Sequence, residues 1–287
     1  MLKFVFSGRV TERYIMAKVA YSLTQNGRID YLVGTPRAQI IDRWIYVFMA
    51  VVFIVVALAG FIPDSVDKIA EVTAGKRPPF PLVLHLHAAL MGSFLLLLLT
   101  QSWLVAVGKN GAHAKIGVAS LLIVPALMIV GFILVPTIFQ ETLLASQTAS
   151  PVIKEKLAAA LTRKENVLLI QIRMGLLFPL LIGVALHARR TDPGFHKRMM
   201  VLATASVLIP AIVRIHWLPT TLPASPVATD LYMLLTIAPM LVWDLIRNRY
   251  VHWAYIVWGS ISLPLLLATY ILWDTQRWHL IARSILT

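Results

Sequence analysis

The chain has 287 residues, of which 59% are hydrophobic and only 14% charged, and its mean hydropathy is +0.78. Soluble domains run nearer a quarter charged, so the composition points to a membrane protein. No cysteine is present, which excludes disulfides, iron–sulfur clusters, thiolate metal sites and covalently attached c-type haem, and the net charge of +13 is dispersed between apolar stretches instead of forming a nucleic-acid-binding patch.

In chain order, residues 1–42 mix apolar and basic positions (FVFSGRVTERYIMAKVAYSL). They read either as an amphipathic helix on the inner leaflet or as a basic cytoplasmic tail. No uninterrupted apolar run followed by a small-residue cleavage site occurs there, so no signal peptide is expected. A hydrocarbon core about 30 Å thick needs roughly 20 apolar residues in a helix. Seven stretches qualify: 43–62, 82–107, 116–138, 166–187, 197–218, 231–247 and 252–273. The expected fold is therefore all-α, a polytopic bundle of about seven transmembrane helices over 43–273, with a short tail at 274–287.

Lysine and arginine orient the bundle. With a cytoplasmic N-terminus, the inner side receives the basic N-terminal segment, Lys109 and Lys115, Arg189 and Arg190, Lys197 and Arg198, and Arg247 and Arg249. Every short inner loop is then basic, whereas the outer loop 219–230 has no lysine or arginine. Trp44, Trp103, Trp217, Trp253, Trp273 and Trp278 fall near span ends, as an interfacial aromatic belt requires. The reading is a multi-pass protein of a bacterial inner membrane, N-terminus in and C-terminus out, surrounded by lipid.

Orientation gives each polar residue a depth. His85 and His87 open the second span at the outer side, and Arg214 and His216 close the fifth at the same side. Arg173 lies about a turn deeper on the fourth. This outer set is the candidate cofactor site, with His87 and His216 as the candidate metal ligands. Bis-histidine haem needs two imidazoles at equal depth on facing helices and cations near its propionates. A second, inner set comprises Gln101, His113, His187 and His196. Residues 7 or 14 apart share a helix face, which aligns His87, Phe94 and Gln101; Asn166, Arg173 and His187; and Asp230 and Asp244. His85 and His87 point about 200° apart, so one helix cannot aim both at one centre; the stripe favours His87.

These residues support a redox protein holding haem b or a histidine-ligated metal ion. Alternatives are a transporter or proton-coupled carrier using Arg173, Arg214 and Asp244, and an accessory or assembly subunit of a larger membrane complex or homo-oligomer. Neither Walker, dinucleotide nor HExxH motifs occur.

The run HLHAAL…Q…GKNGAHAKIG, followed by HARRTDPGFHKRMMVLATASVLIPAIVRI, resembles a group of uncharacterised bacterial multi-pass membrane proteins. The shared pattern falls on His85, His87, Gln101, His113, Gly117, His196, Arg198 and Met200, and covers about 82–216. That resemblance implies the polytopic fold and no particular activity. The placing of histidines at helix ends is loosely similar to b-type cytochromes and ferric reductases.

Overall fold

A computed structural model describes residues 36–286, so the N-terminal segment of the sequence reading lies almost wholly outside the described residues. Among the described residues the secondary structure is helical, without strands. The long helices are α1 (Pro36–Thr73), α2 (Leu82–Ala106), α4 (Ser120–Thr148), α5 (Pro151–Ala188), α8 (Val227–Asn248) and α9 (Trp253–Leu272). Shorter ones are α3 (Asn110–Gly117), α6 (Pro193–Ala205), α7 (Ile209–Ile212) and α10 (Gln276–Leu286). Six helices, α1, α2, α4, α5, α8 and α9, are long and apolar enough to cross a bilayer. The chain is a multi-pass membrane protein built as an all-α bundle.

The stretch 197–218 departs from the expected continuous span. It is split into α6 and α7, with a turn at 206–208. Pro210 explains the break: it has no N–H to give the carbonyl of Ser206, and its ring crowds that carbonyl. The turn closes instead with short-range bonds, Val207 N to Thr204 O and Leu208 N to Ala205 O, both 3.1 Å. Contacts nevertheless carry this segment from one end of the bundle to the other. Arg198 meets Asp244 near the end of α8, and Arg214 meets Asp64 on the far part of α1. This segment thus traverses the bundle as a discontinuous helix. By the charge count, the end bearing Asp42 and Asp244 is the inner end.

This broken segment is the central strut. Val201, Leu202, Ala205, Leu208 and Ile212 pack with Met49, Ala50 and Phe53 of α1, Leu95 and Leu98 of α2, and Ile237 and Met240 of α8. Lipid is as apolar as these side chains, so close packing, with small residues admitting close backbone approach, holds helices together here. Gly60 of α1 is such a point: a Cβ there would overlap the carbonyl oxygen of Ala211. Beside it, Phe94 of α2 meets Phe178 of α5 edge-on at 5.0 Å, in a second cluster with Val124, Leu127, Leu181 and Met199.

Two further differences concern the outer end. α1, α4 and α5 run beyond the predicted spans, to Thr73, to Thr148 and from Pro151, so the outer loops are largely helical. The tail expected over 274–287 folds as α10 and docks through Trp278, Ala282 and Leu286 against Phe139, Leu168 and Leu169. Its anchor is Glu165, buried on α5. His279 Nδ1 lies 2.6 Å from that carboxylate, Arg283 Nε donates to it at 2.7 Å, and Trp278 Nε1 donates to the Glu165 carbonyl at 2.7 Å. An eleven-residue helix bearing charges is below any span threshold, which is why hydropathy alone misses it.

Candidate functional site

Every buried charge in a low-dielectric interior needs a partner; Glu165 finds its partners on α10, and the two buried aspartates of α8 find theirs in two similar groups. On α8, Asp230 and Asp244 both point inward, as their 14-residue spacing requires. Asp230 accepts both guanidinium nitrogens of Arg173 from α5, one at 3.2 Å and one shorter, and the Tyr270 hydroxyl of α9 at 2.9 Å. Asp244 accepts Arg198 Nε of α6 at 2.7 Å, its second nitrogen at 2.5 Å, and the Tyr255 hydroxyl of α9 at 2.6 Å. Each is an aspartate gripped by a two-pronged arginine and a tyrosine, the strongest kind of charge-assisted contact. α8 and α9 run antiparallel, so one lock forms at each end of the pair.

Polar neighbours extend the inner lock. Arg198 also donates to the Gly194 carbonyl at 2.9 Å, and Lys197 lies 4.7 Å above the Tyr46 ring. Asp42 on α1 accepts Trp243 Nε1 at 2.9 Å and Arg247 Nε at 2.8 Å, tying α1 to α8. In the loop before α9, His252 caps that helix by accepting the Ala254 N–H through Nδ1 at 3.1 Å. Burial first, and then the positive charge of Arg198 against the opposing pull of Asp244, bring its imidazole down to about 4.

The outer set is not gathered into one site. His85 is exposed and set edge-on to Phe80 at 6.1 Å. His87 turns inward, on the stripe with buried Phe94, and its Nδ1 is buried without a hydrogen-bond partner. His216 is exposed beside Trp217, itself 77% exposed. Arg173 is held by Asp230. Arg214 donates to Asp64 at 3.1 Å and to the Pro210 carbonyl, with its guanidinium 4.9 Å from the Phe61 ring. A bis-histidine haem asks for two facing imidazoles and free cations; here one imidazole is suitably placed, the other lies on the surface, and both arginines are engaged. Among the described residues no group of three or more His, Cys, Asp and Glu converges as a metal site would.

Three of the four inner residues do come together. With its amide oriented to satisfy both ends, Gln101 donates to the His113 carbonyl at 2.9 Å and to His113 Nδ1 at 2.6 Å, and accepts Gly117 N–H at 3.2 Å. This is the physical content of the Q…H-x-x-x-G pattern. One glutamine clamps α3 onto the end of α2, and a Cβ at Gly117 would stand 3.3 Å from the end of its side chain. The His113 ring lies 6.5 Å from that of His196, whose Nδ1 donates to the Ala185 carbonyl of α5 at 2.8 Å. His187 stays apart and exposed, although Asn166 and Arg173 on its stripe are buried; the stripe ends where α5 leaves the bundle.

In the sequence Arg198 reads as a loop cation, and neither Tyr255 nor Tyr270 stands out. A usable signal existed: Asp230 and Asp244 on one face require two counter-charges at matching depths, and Arg173 and Arg198 are at those depths. The chain matches no family model, and neither a curated protein nor a solved structure is significantly similar to it. Fold and site define a polytopic helical membrane protein with two buried ion locks.

Proposed function

We propose that the protein is a proton-coupled carrier of a small anion in a bacterial inner membrane. The supporting observation is the pair of Arg–Asp–Tyr locks at opposite ends of α8, with the apolar cluster around Ile237 and Met240 between them. Intramembrane ionisable residues mark pathways more often than they stabilise a fold. The discontinuous α6–α7 segment carries Arg198 of the inner lock, and broken helices are where carriers commonly place a site.

The locks suggest a balanced exchange. When a proton neutralises Asp230, Arg173 loses its counter-ion and accepts a monovalent anion; releasing both on the other side restores the pair. One proton then travels with each negative charge, and no net charge is left buried.

Proteoliposomes with a trapped pH dye test this. An acid pulse with chloride, nitrate or a short carboxylate outside should drive proton entry above protein-free vesicles, and Asp230→Asn should abolish it. Proton entry that is indifferent to the anion, or no greater than background, rejects the reading. The absence of cysteine allows a second check: Ser206→Cys, buried at the break, should become reactive to an impermeant thiol reagent as the locks open.

One observation supports a second reading. The buried, unpartnered Nδ1 of His87 is a vacant donor or acceptor of the kind a cofactor occupies. A Soret band or stoichiometric metal in protein expressed with haem and iron supplied, lost in His87→Ala, would replace the carrier with the redox reading.

A further inference from the structure

The last two turns of α5 border an open surface pocket of about 400 Å³, lined by Gly183, Leu186, His187, Arg189 and Arg190. Its size falls within the range of small-ligand pockets, roughly 300–1,000 Å³. The composition is graded along the helix. Gly183 and Leu186 form an apolar floor on the membrane side, while His187, Arg189 and Arg190 form a basic rim where the helix emerges. A Cβ at Gly183 would meet open space, so this glycine is not needed for close helix packing; its effect is to leave the groove unfilled.

The rim cations differ from those in the bundle. Arg173, Arg198, Arg214 and Arg247 each have a carboxylate within an ion pair. Arg189 and Arg190 have no carboxylate in an ion pair among the described residues. The acid nearest in sequence, Asp192, is committed elsewhere: it accepts Phe195 N–H at 2.9 Å to cap α6 and Trp253 Nε1 at 3.1 Å. Positive residues at a helix C-terminus are favourable in themselves. Two guanidiniums without a carboxylate in an ion pair and an imidazole line one open pocket beside an apolar floor, a combination suited to an anion with a hydrophobic extension. Guanidinium matches phosphate oxygens two at a time.

We propose that this pocket binds a phosphate group, Arg189 and Arg190 holding its oxygens, and that Gly183 leaves room for an attached acyl chain. The chemistry is that of an anionic phospholipid headgroup or of free phosphate. The inference rests on a different part of the molecule from the carrier reading and does not depend on it.

Native mass spectrometry of the detergent-purified protein, supplied with phosphatidylglycerol or phosphatidylcholine, tests the lipid. Calorimetry with inorganic phosphate tests the solute. Phosphatidylglycerol should be retained in preference to phosphatidylcholine, and each arginine lost should weaken retention about fivefold. The variant Arg189→Gln/Arg190→Gln should abolish the preference while unfolding at the wild-type temperature. Gly183→Leu fills the groove and should reduce lipid retention while leaving any phosphate binding intact. Binding of inorganic phosphate alone, lost in the double glutamine variant, also supports the site and assigns it to a soluble phosphate. If neither ligand binds, or both bind the double variant as they bind wild type, the proposal is overturned. Should the double glutamine variant fail to fold, Arg189→Lys/Arg190→Lys keeps the charge and removes the two-pronged geometry; undiminished binding there rejects the assigned contacts.

Discussion

Asp230 and Asp244 project from one face of α8 and each accepts a tyrosine hydroxyl from α9, Tyr270 at 2.9 Å and Tyr255 at 2.6 Å. Fourteen residues at 1.5 Å each separate them by about 21 Å along the helix. Both are buried within the bundle, where an unpaired ion is costly. The arginines reach these depths from different elements, α5 and the broken α6–α7 strut. α8 is thereby tied at both ends to neighbours that are not adjacent to it in sequence.

Breaking one lock asymmetrically should be worse than removing it. Asp244→Asn leaves Arg198 buried without its counter-charge, a change that costs about 3–5 kcal/mol in protein interiors. The double change Arg198→Met/Asp244→Leu removes both charges at similar volume and should recover most of that loss. Thermal unfolding of the purified protein in detergent measures both. Wild-type stability in Asp244→Asn would show that the pair is not buried as described. On the carrier reading the double variant folds and does not transport, which separates the lock's structural part from its function.

Gly60 makes a second prediction, with a control in the same protein. A side chain there meets the Ala211 backbone, which no rotamer change relieves, and would lie 2.8 Å from its carbonyl carbon. Gly60→Ala should therefore destabilise by about 1–3 kcal/mol or more, despite alanine's better helix propensity. At Gly92 in α2 a Cβ meets nothing within 4 Å, so Gly92→Ala should be neutral or mildly stabilising. Equal melting temperatures for the two variants would refute the close approach of α1 to α7.

The Gln101 clamp is local, and its loss should be read locally. Gln101→Ala removes bonds to His113 and to Gly117 N–H, the contacts that hold α3 on α2. Amide hydrogen exchange should accelerate over 110–119, with α8 and α9 unchanged. Uniform acceleration through the bundle would mean that the glutamine supports the fold as a whole, and unchanged exchange would mean that it supports nothing.

The long helices were legible because their signal is local: runs of about 20 apolar residues, basic loops of one sign, and tryptophans at span ends. The inward stripe of Asp230 and Asp244 was legible for the same reason, since helical period alone aligns them. What failed was tertiary. Hydropathy gives 197–218 the same score whether or not Pro210 breaks it, because lipid-exposed and protein-buried apolar residues look alike. Arg173 and Arg214 looked available to a ligand because nothing in a one-dimensional pattern assigns them to Asp230 and Asp64. α10 was read as a tail because a helix docked through Trp278, Ala282 and Leu286, and anchored on Glu165, needs neither length nor continuous apolarity. Gln101, His113 and His196 were grouped by depth and do meet; His187, grouped with them by the same reasoning, faces away because depth does not determine azimuth.

His252 links the inner end to pH. In the folded protein its imidazole ionises at about 4, below its ordinary 6.5, chiefly because it is buried and secondly because Arg198 is close; Lys197 acts with Arg198, while Asp244 and Asp192 oppose them. The unfolded chain therefore binds more protons than the folded one between about pH 6.5 and 4. The stabilising contribution is complete above about pH 6.5 and is lost as the pH falls towards 4. Protonation also removes the lone pair with which Nδ1 caps α9, so the loss should appear first as fraying at Ala254 and Tyr255. Asparagine offers a capping oxygen and does not titrate. Melting temperatures measured from pH 7.5 to 4.5 should fall less steeply for His252→Asn than for wild type, with the curves converging towards the alkaline end. Parallel curves over the whole range would place the acid sensitivity elsewhere.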